Sequence, residues 1–180
     1  GIRSHVVISD KIAQAGPRDY RIKCCNRGRR GATHVSLRTY IMFNGVEGAP
    51  FGFLLRQTEI GLLQDRSEEP MLTEWWSRVR PGGVEQDTFS ACRQFMPSSV
   101  GDAIAAGNPF DLAHLFDHNP GGIFVRADLE ATDSFSQTPT LVTRHFGRDD
   151  LEPGEFRPDS LDVHLDVEGW NKSPSRCYGA

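Results

Sequence analysis

The sequence predicts an α+β fold, a mostly antiparallel β-sandwich or partly closed barrel with a short-helix insertion at about residues 70–118. Three observations predict it. Two segments, 33–44 and 161–168, alternate apolar and polar side chains with the period of a half-buried strand. Residues between 70 and 118 change to helical spacing. The resulting order of strands, helices and strands lacks the regular alternation that parallel βαβ units need.

The elements follow in chain order. The continuous Val6-Val7-Ile8 run within 5–9 suits a buried strand, and Tyr20, Ile22 and Cys24 alternate as a second. In the third, Val35, Leu37, Thr39, Ile41 and Phe43 form the more apolar face, opposite His34, Ser36, Arg38, Tyr40 and Met42. Asn44-Gly45 then supplies turn residues and Phe51 to Leu55 resumes an apolar run, giving a hairpin and four strands in this half. Pro70 suits a first helical turn, with Leu72, Trp75, Trp76 and Val79 at i, i+3, i+4 and i+7 and Pro81-Gly82-Gly83 as the stop. This face is expected to pack on the sheet with both indoles largely buried. Further helices are expected from Asp87 to Pro97, from Ser99 to Gly107, and from Asn108-Pro109 to about Asp117. Strands return at 123–127 and 140–146. After a loop at 147–159, Leu161, Val163, Leu165 and Val167 alternate with Asp162, His164, Asp166 and Glu168.

Composition makes this a single domain over 1–180: a β-rich basic half at 1–64, a helical segment at 70–118, a β-rich acidic half at 122–168 and a tail at 169–180. With 24% charged and 38% apolar residues, the chain can bury a core, which excludes disorder over most of its length. No run approaches the roughly 18 apolar residues of a spanning helix. The chain opens on Gly1, which fits a tag remnant, a removed targeting segment or release from a precursor. Cys24, Cys25, Cys92 and Cys177 lack C-x-x-C spacing, and in the absence of a secretion signal reduced thiols in a reducing compartment are favoured. Asn171-Lys172-Ser173 is a nominal glycosylation sequon that leaves the compartment open.

Charge is distributed unevenly. Residues 1–40 carry nine basic side chains against Asp10 and Asp19, +7 within a chain of net charge -4. The densest part is Arg18, Arg21, Lys23, Arg27, Arg29 and Arg30. Five of these six are arginine, whose planar guanidinium suits bidentate contacts to phosphate or carboxylate. The expected function is therefore a non-catalytic binding or structural subunit, part of a larger assembly, docking through this hairpin on an anionic partner: RNA, an acidic protein or an anionic lipid surface. Self-complementation by the acidic C-terminal third explains the same charges equally well.

Catalytic readings are weaker. The row Asp162, His164, Asp166 could serve a hydrolase or transferase if His145 approached from a neighbouring strand, although any solvent-facing strand shows such polarity. His114 and His118, at i and i+4, could share a metal, but Leu115 stands where the general base of a zinc hydrolase follows its first His, and His118 suits a helix C-terminus. Arg21, Lys23 and Arg27 are expected to lower the pKa of Cys24 or Cys25. The pair otherwise reads as one buried residue and one exposed or disulfide-bonded. No cofactor is implied by any of these patterns.

Overall fold

The structure is a computed structural model that describes residues 3–16, 19–44, 50–63, 71–75, 102, 106, 112–118, 122–157 and 160–165. Its elements are β1 (Val6–Ile8), β2 (Ile12–Gly16), β3 (Asp19–Asn26), β4 (Ala32–Asn44), β5 (Pro50–Leu63), β6 (Met71–Trp75), α1 (Leu112–His118), β7 (Ile123–Asp133), β8 (Pro139–Phe146), β9 (Leu151–Pro153), β10 (Glu155–Phe156) and β11 (Val163–His164). The fold is the α+β, mostly antiparallel arrangement expected from the sequence, and the sheet ordered β5-β4-β7-β8 curls into a half-barrel.

The other large sheet centres on β3. One edge of β3 pairs antiparallel first with β2 and then with β1, and the other edge pairs with β6. β9 joins outside β2 in parallel. Between β1 and β2 the chain stays bonded to β3 at Ser9, whose N–H donates to the Lys23 carbonyl at 2.8 Å.

Both sheets contribute their apolar faces to one core, where Ile8, Ile22 and Cys24 meet Leu37, Ile41, Val125 and Leu129. The apolar face predicted for 33–44 is buried, Val35, Leu37, Thr39, Ile41 and Phe43 all being inaccessible, and Ser36 and Met42 of the opposite face are buried as well. Helix α1 adds Leu112, Leu115 and Phe116, an i, i+3, i+4 stripe. An N–H of its first turn, that of Ala113, donates to the buried Tyr20 hydroxyl at 3.0 Å, supplying a partner the helix itself lacks there.

Several sequence expectations are corrected. Residues 71–75 form a strand, not the start of a helix, because β3 offers an open edge and Met71 to Trp75 pairs with Cys24 to Tyr20 along it. A short apolar run fits either period, and tertiary pairing decides. The Trp75 side chain, Trp76 and the helix expected at 87–97 lie outside the described residues, as does most of the one at 99–107. There, Ala106 N–H bonds to the Asp102 carbonyl at 3.0 Å, one helical turn. The first half contains β2 as a fifth strand. Of the strand expected at 161–168, residues 166–168 lie outside the described residues; within 161–165 the strand is Val163–His164, and Leu165 is 69% exposed instead of inward.

A basic tip as the candidate functional site

β3 is covered on both faces, which changes the fate of its charged residues. Tyr20, Ile22 and Cys24 face the core, while Lys23 faces the segment that follows β10. Lys23 is fully buried, its Nζ donating to the carbonyls of Arg157 and of Ser160, the latter at 2.6 Å, and lying 5.7 Å from the Phe156 ring centroid. Arg21, 1% exposed, forms a two-pronged pair with Asp19, Nε to Oδ1 at 3.1 Å and Nη2 to Oδ2 at 2.7 Å. Both are thus withdrawn from the anion-binding set expected of the hairpin. Arg18 lies outside the described residues.

The remaining basic side chains gather where β3 turns into β4. Asn26, 1% exposed, organises this turn: its Oδ1 accepts from the N–H groups of His5 and Gly28, each at 2.9 Å, and its Nδ2 donates to the Arg30 carbonyl at 2.6 Å. The turn is also stitched to the incoming chain, with Arg27 N–H bonded to the His5 carbonyl at 2.8 Å and Arg29 N–H to the Arg3 carbonyl at 3.1 Å. Gly28 is required here, because a Cβ would overlap the Arg3 carbonyl oxygen and the His5 nitrogen.

The β7–β8 turn packs alongside. Ser134 N–H donates to the Gly31 carbonyl at 3.0 Å. Buried Asp133 accepts the Ser4 N–H at 2.8 Å on Oδ2, and the N–H groups of Phe135 at 3.0 Å and Ser136 at 2.8 Å on Oδ1. The Ser136 and Ser4 N–H groups hold its carboxyl well below the usual carboxylate range.

On this backbone Arg3, His5, Arg27 and Arg29 are exposed, the Arg27 guanidinium also reaching Cys25, and Arg30 is half-buried. The Arg30 guanidinium stacks 4.2 Å from the Phe135 ring centroid and stands 4.0 Å from Asp133 Oδ1. Phe135 is 77% exposed. Sequence reading missed Arg3, His5 and Phe135 as members of this site. The signal for Phe135 was its place in an Asp-Ser-Phe-Ser turn, where the Asp side chain binds the following N–H groups and fixes the next residues at the surface.

The described catalytic candidates lie on different sheets. His145 lies on β8, its ring 4.9 Å from that of Phe124, whereas His164 lies on β11 in a two-stranded ribbon with β10. Asp162 is exposed in the bend before β11, and Asp166 lies outside the described residues. His114 is exposed on α1, while the placement of the His118 side chain lies outside what is described. No group of three potential metal ligands occurs among the described residues.

Cys24 and Cys25 are both buried as thiols, so neither is the exposed or disulfide-bonded member expected. Burial pushes the Cys24 thiol up to about 12. It raises Cys25 as well, against the opposing Arg27 guanidinium. Desolvation therefore outweighs the basic neighbours expected to activate these thiols.

The fold and site define a mostly antiparallel α+β protein with a basic tip cross-linked by hydrogen bonds. The chain matches no protein-family model and no curated protein. No helix among the described residues is long and apolar enough to cross a membrane.

Proposed function

We propose that this protein is a non-catalytic binding or structural module that docks on an anionic macromolecule through its β3–β4 tip. The observation that carries this reading is the exposure of Arg3, His5, Arg27 and Arg29 on a backbone fixed by Asn26, Gly28 and Asp133. A loop already ordered in the free protein loses little conformational entropy on binding, so its charges act at full effect. Self-complementation accounts for part of the basic set: Arg30 stands near Asp133, and Lys11 lies 3.6 Å from Asp150. The exposed arginines are what the tip offers a partner.

A salt titration of binding to heparin, RNA, anionic vesicles and an acidic polypeptide tests this. Affinity should fall linearly with salt on logarithmic axes. Charge reversal at Arg27 and Arg29 together should lower the slope on a nucleic-acid or heparin probe by roughly 1 to 2, as two anion contacts are lost. Absent or salt-insensitive binding to all four probes overturns the reading.

A further inference from the structure

We infer that the partner of the tip is a single-stranded nucleic acid, one of whose bases stacks on Phe135; this rests on the docking reading above. The ring is 77% exposed although its carrier loop is firmly held. Asp133 binds the N–H groups of Phe135 and Ser136, Gln137 N–H donates to the Asp133 carbonyl at 3.0 Å, and the Gln137 side chain donates to the Ser134 carbonyl at 3.0 Å. The Arg30 guanidinium occupies one side of the ring, at 4.2 Å from its centroid. What stays open is a flat aromatic surface, polarised by a cation behind it and flanked by exposed arginines.

Each anionic partner makes a different use of such a surface. A phosphodiester strand supplies both halves of the match, phosphates for the guanidinium groups and a π-face for the ring. Duplex nucleic acid keeps its bases stacked internally and offers the ring nothing. A lipid surface rewards burial of several apolar side chains, but Phe135 is flanked by Ser134, Ser136 and Gln137, and immersing its ring would carry the stacked guanidinium of Arg30 with it. An acidic protein would use the charges without the ring.

The test measures fluorescence anisotropy of a short labelled oligouridylate with the full chain, alongside labelled heparin, which has charge but no bases. Phe135→Ala should weaken oligouridylate binding at least about five-fold, the lower end expected for one lost base stack. It should leave the salt slope and heparin affinity unchanged. Phe135→Trp should restore binding, whereas Phe135→Leu, apolar but without a π-face, should not. The site is exposed, so these variants test contact and not folding. Equal oligouridylate affinity for wild type and Phe135→Ala, or rescue by Leu, overturns the inference while leaving anion docking intact. Tighter binding to phosphatidylserine-containing vesicles than to the oligonucleotide, lost in Phe135→Ala, overturns it in favour of a lipid surface. If charge reversal at Arg27 and Arg29 changes binding to no probe, both the inference and the docking reading fail.

Discussion

Asp133 illustrates how one side chain can hold a functional surface together. Its carboxylate joins the chain at Ser4 to the β7–β8 turn at Phe135 and Ser136, and stands 4.0 Å from the Arg30 guanidinium. Because the folded protein holds this carboxyl below its unfolded value, the ionised form favours folding. The contribution is complete above the ordinary carboxylate pKa, near about 4, and is lost as pH falls below that through the lower folded value. Asp133→Asn should therefore be less stable than wild type at neutral pH, with the difference narrowing as pH drops below about 4, measured by denaturant midpoints across pH. A constant difference across that range would contradict the role assigned to the charge. Arg21 and Lys23 teach the complementary lesson. Alternation marks them as solvent-facing, but Lys23 is covered by residues 157 and 160, far along the chain, and nothing local in the sequence announces that cover.

Among the elements, the β3–β4 turn depends on Gly28. Its replacement by Ala would force a Cβ into backbone atoms of Arg3 and His5, where no flexible side chain can yield. The expected cost is roughly 1 to 3 kcal/mol, the usual range for overpacking, read from thermal or urea unfolding. Heparin affinity should drop as well, because the arginines move with the turn. Long strands with clear alternation, β4 above all, were legible from sequence, and so was the apolar stripe of α1. β2 escaped because Ile12-Ala-Gln-Ala-Gly is too short and small-residued to show a period, and it becomes a strand only by pairing with β3. β6 escaped because its apolar spacing satisfied a helix equally well. β10 and β11 form a two-residue ribbon, too short for any periodicity, held where Gly154 adopts a φ of 128° against the His164 carbonyl.

At the scale of the whole molecule, the basic N-terminal and acidic C-terminal regions meet instead of lying apart. Lys11 of the basic region lies 3.6 Å from Asp150 and donates to the Asp149 carbonyl at 3.2 Å, whereas the Arg144–Asp10 pair at 2.8 Å has its cation in the acidic region. Pairs this exposed contribute about 0 to 1 kcal/mol each, so the two halves are joined by the β4–β7 strand pairing and the shared apolar core and not by charge. Sequence therefore showed the charge asymmetry and the arginine preference, but not which arginines survive as surface. That selection follows from which edge and which face of β3 the rest of the chain covers. The four-stranded sheet displays a second set of cations, Arg38 paired with Glu130 at 2.9 Å, and Arg126 with Asp128 at 3.4 Å and over the Tyr40 ring. The two surfaces make opposite predictions for where an anionic polymer lands. Backbone amide shift perturbation by NMR during a heparin titration distinguishes them directly: the largest changes should fall on residues 3–5, 26–31 and 133–138. Largest changes around Arg38, Arg126 and Arg144, with the tip unperturbed, would contradict the account.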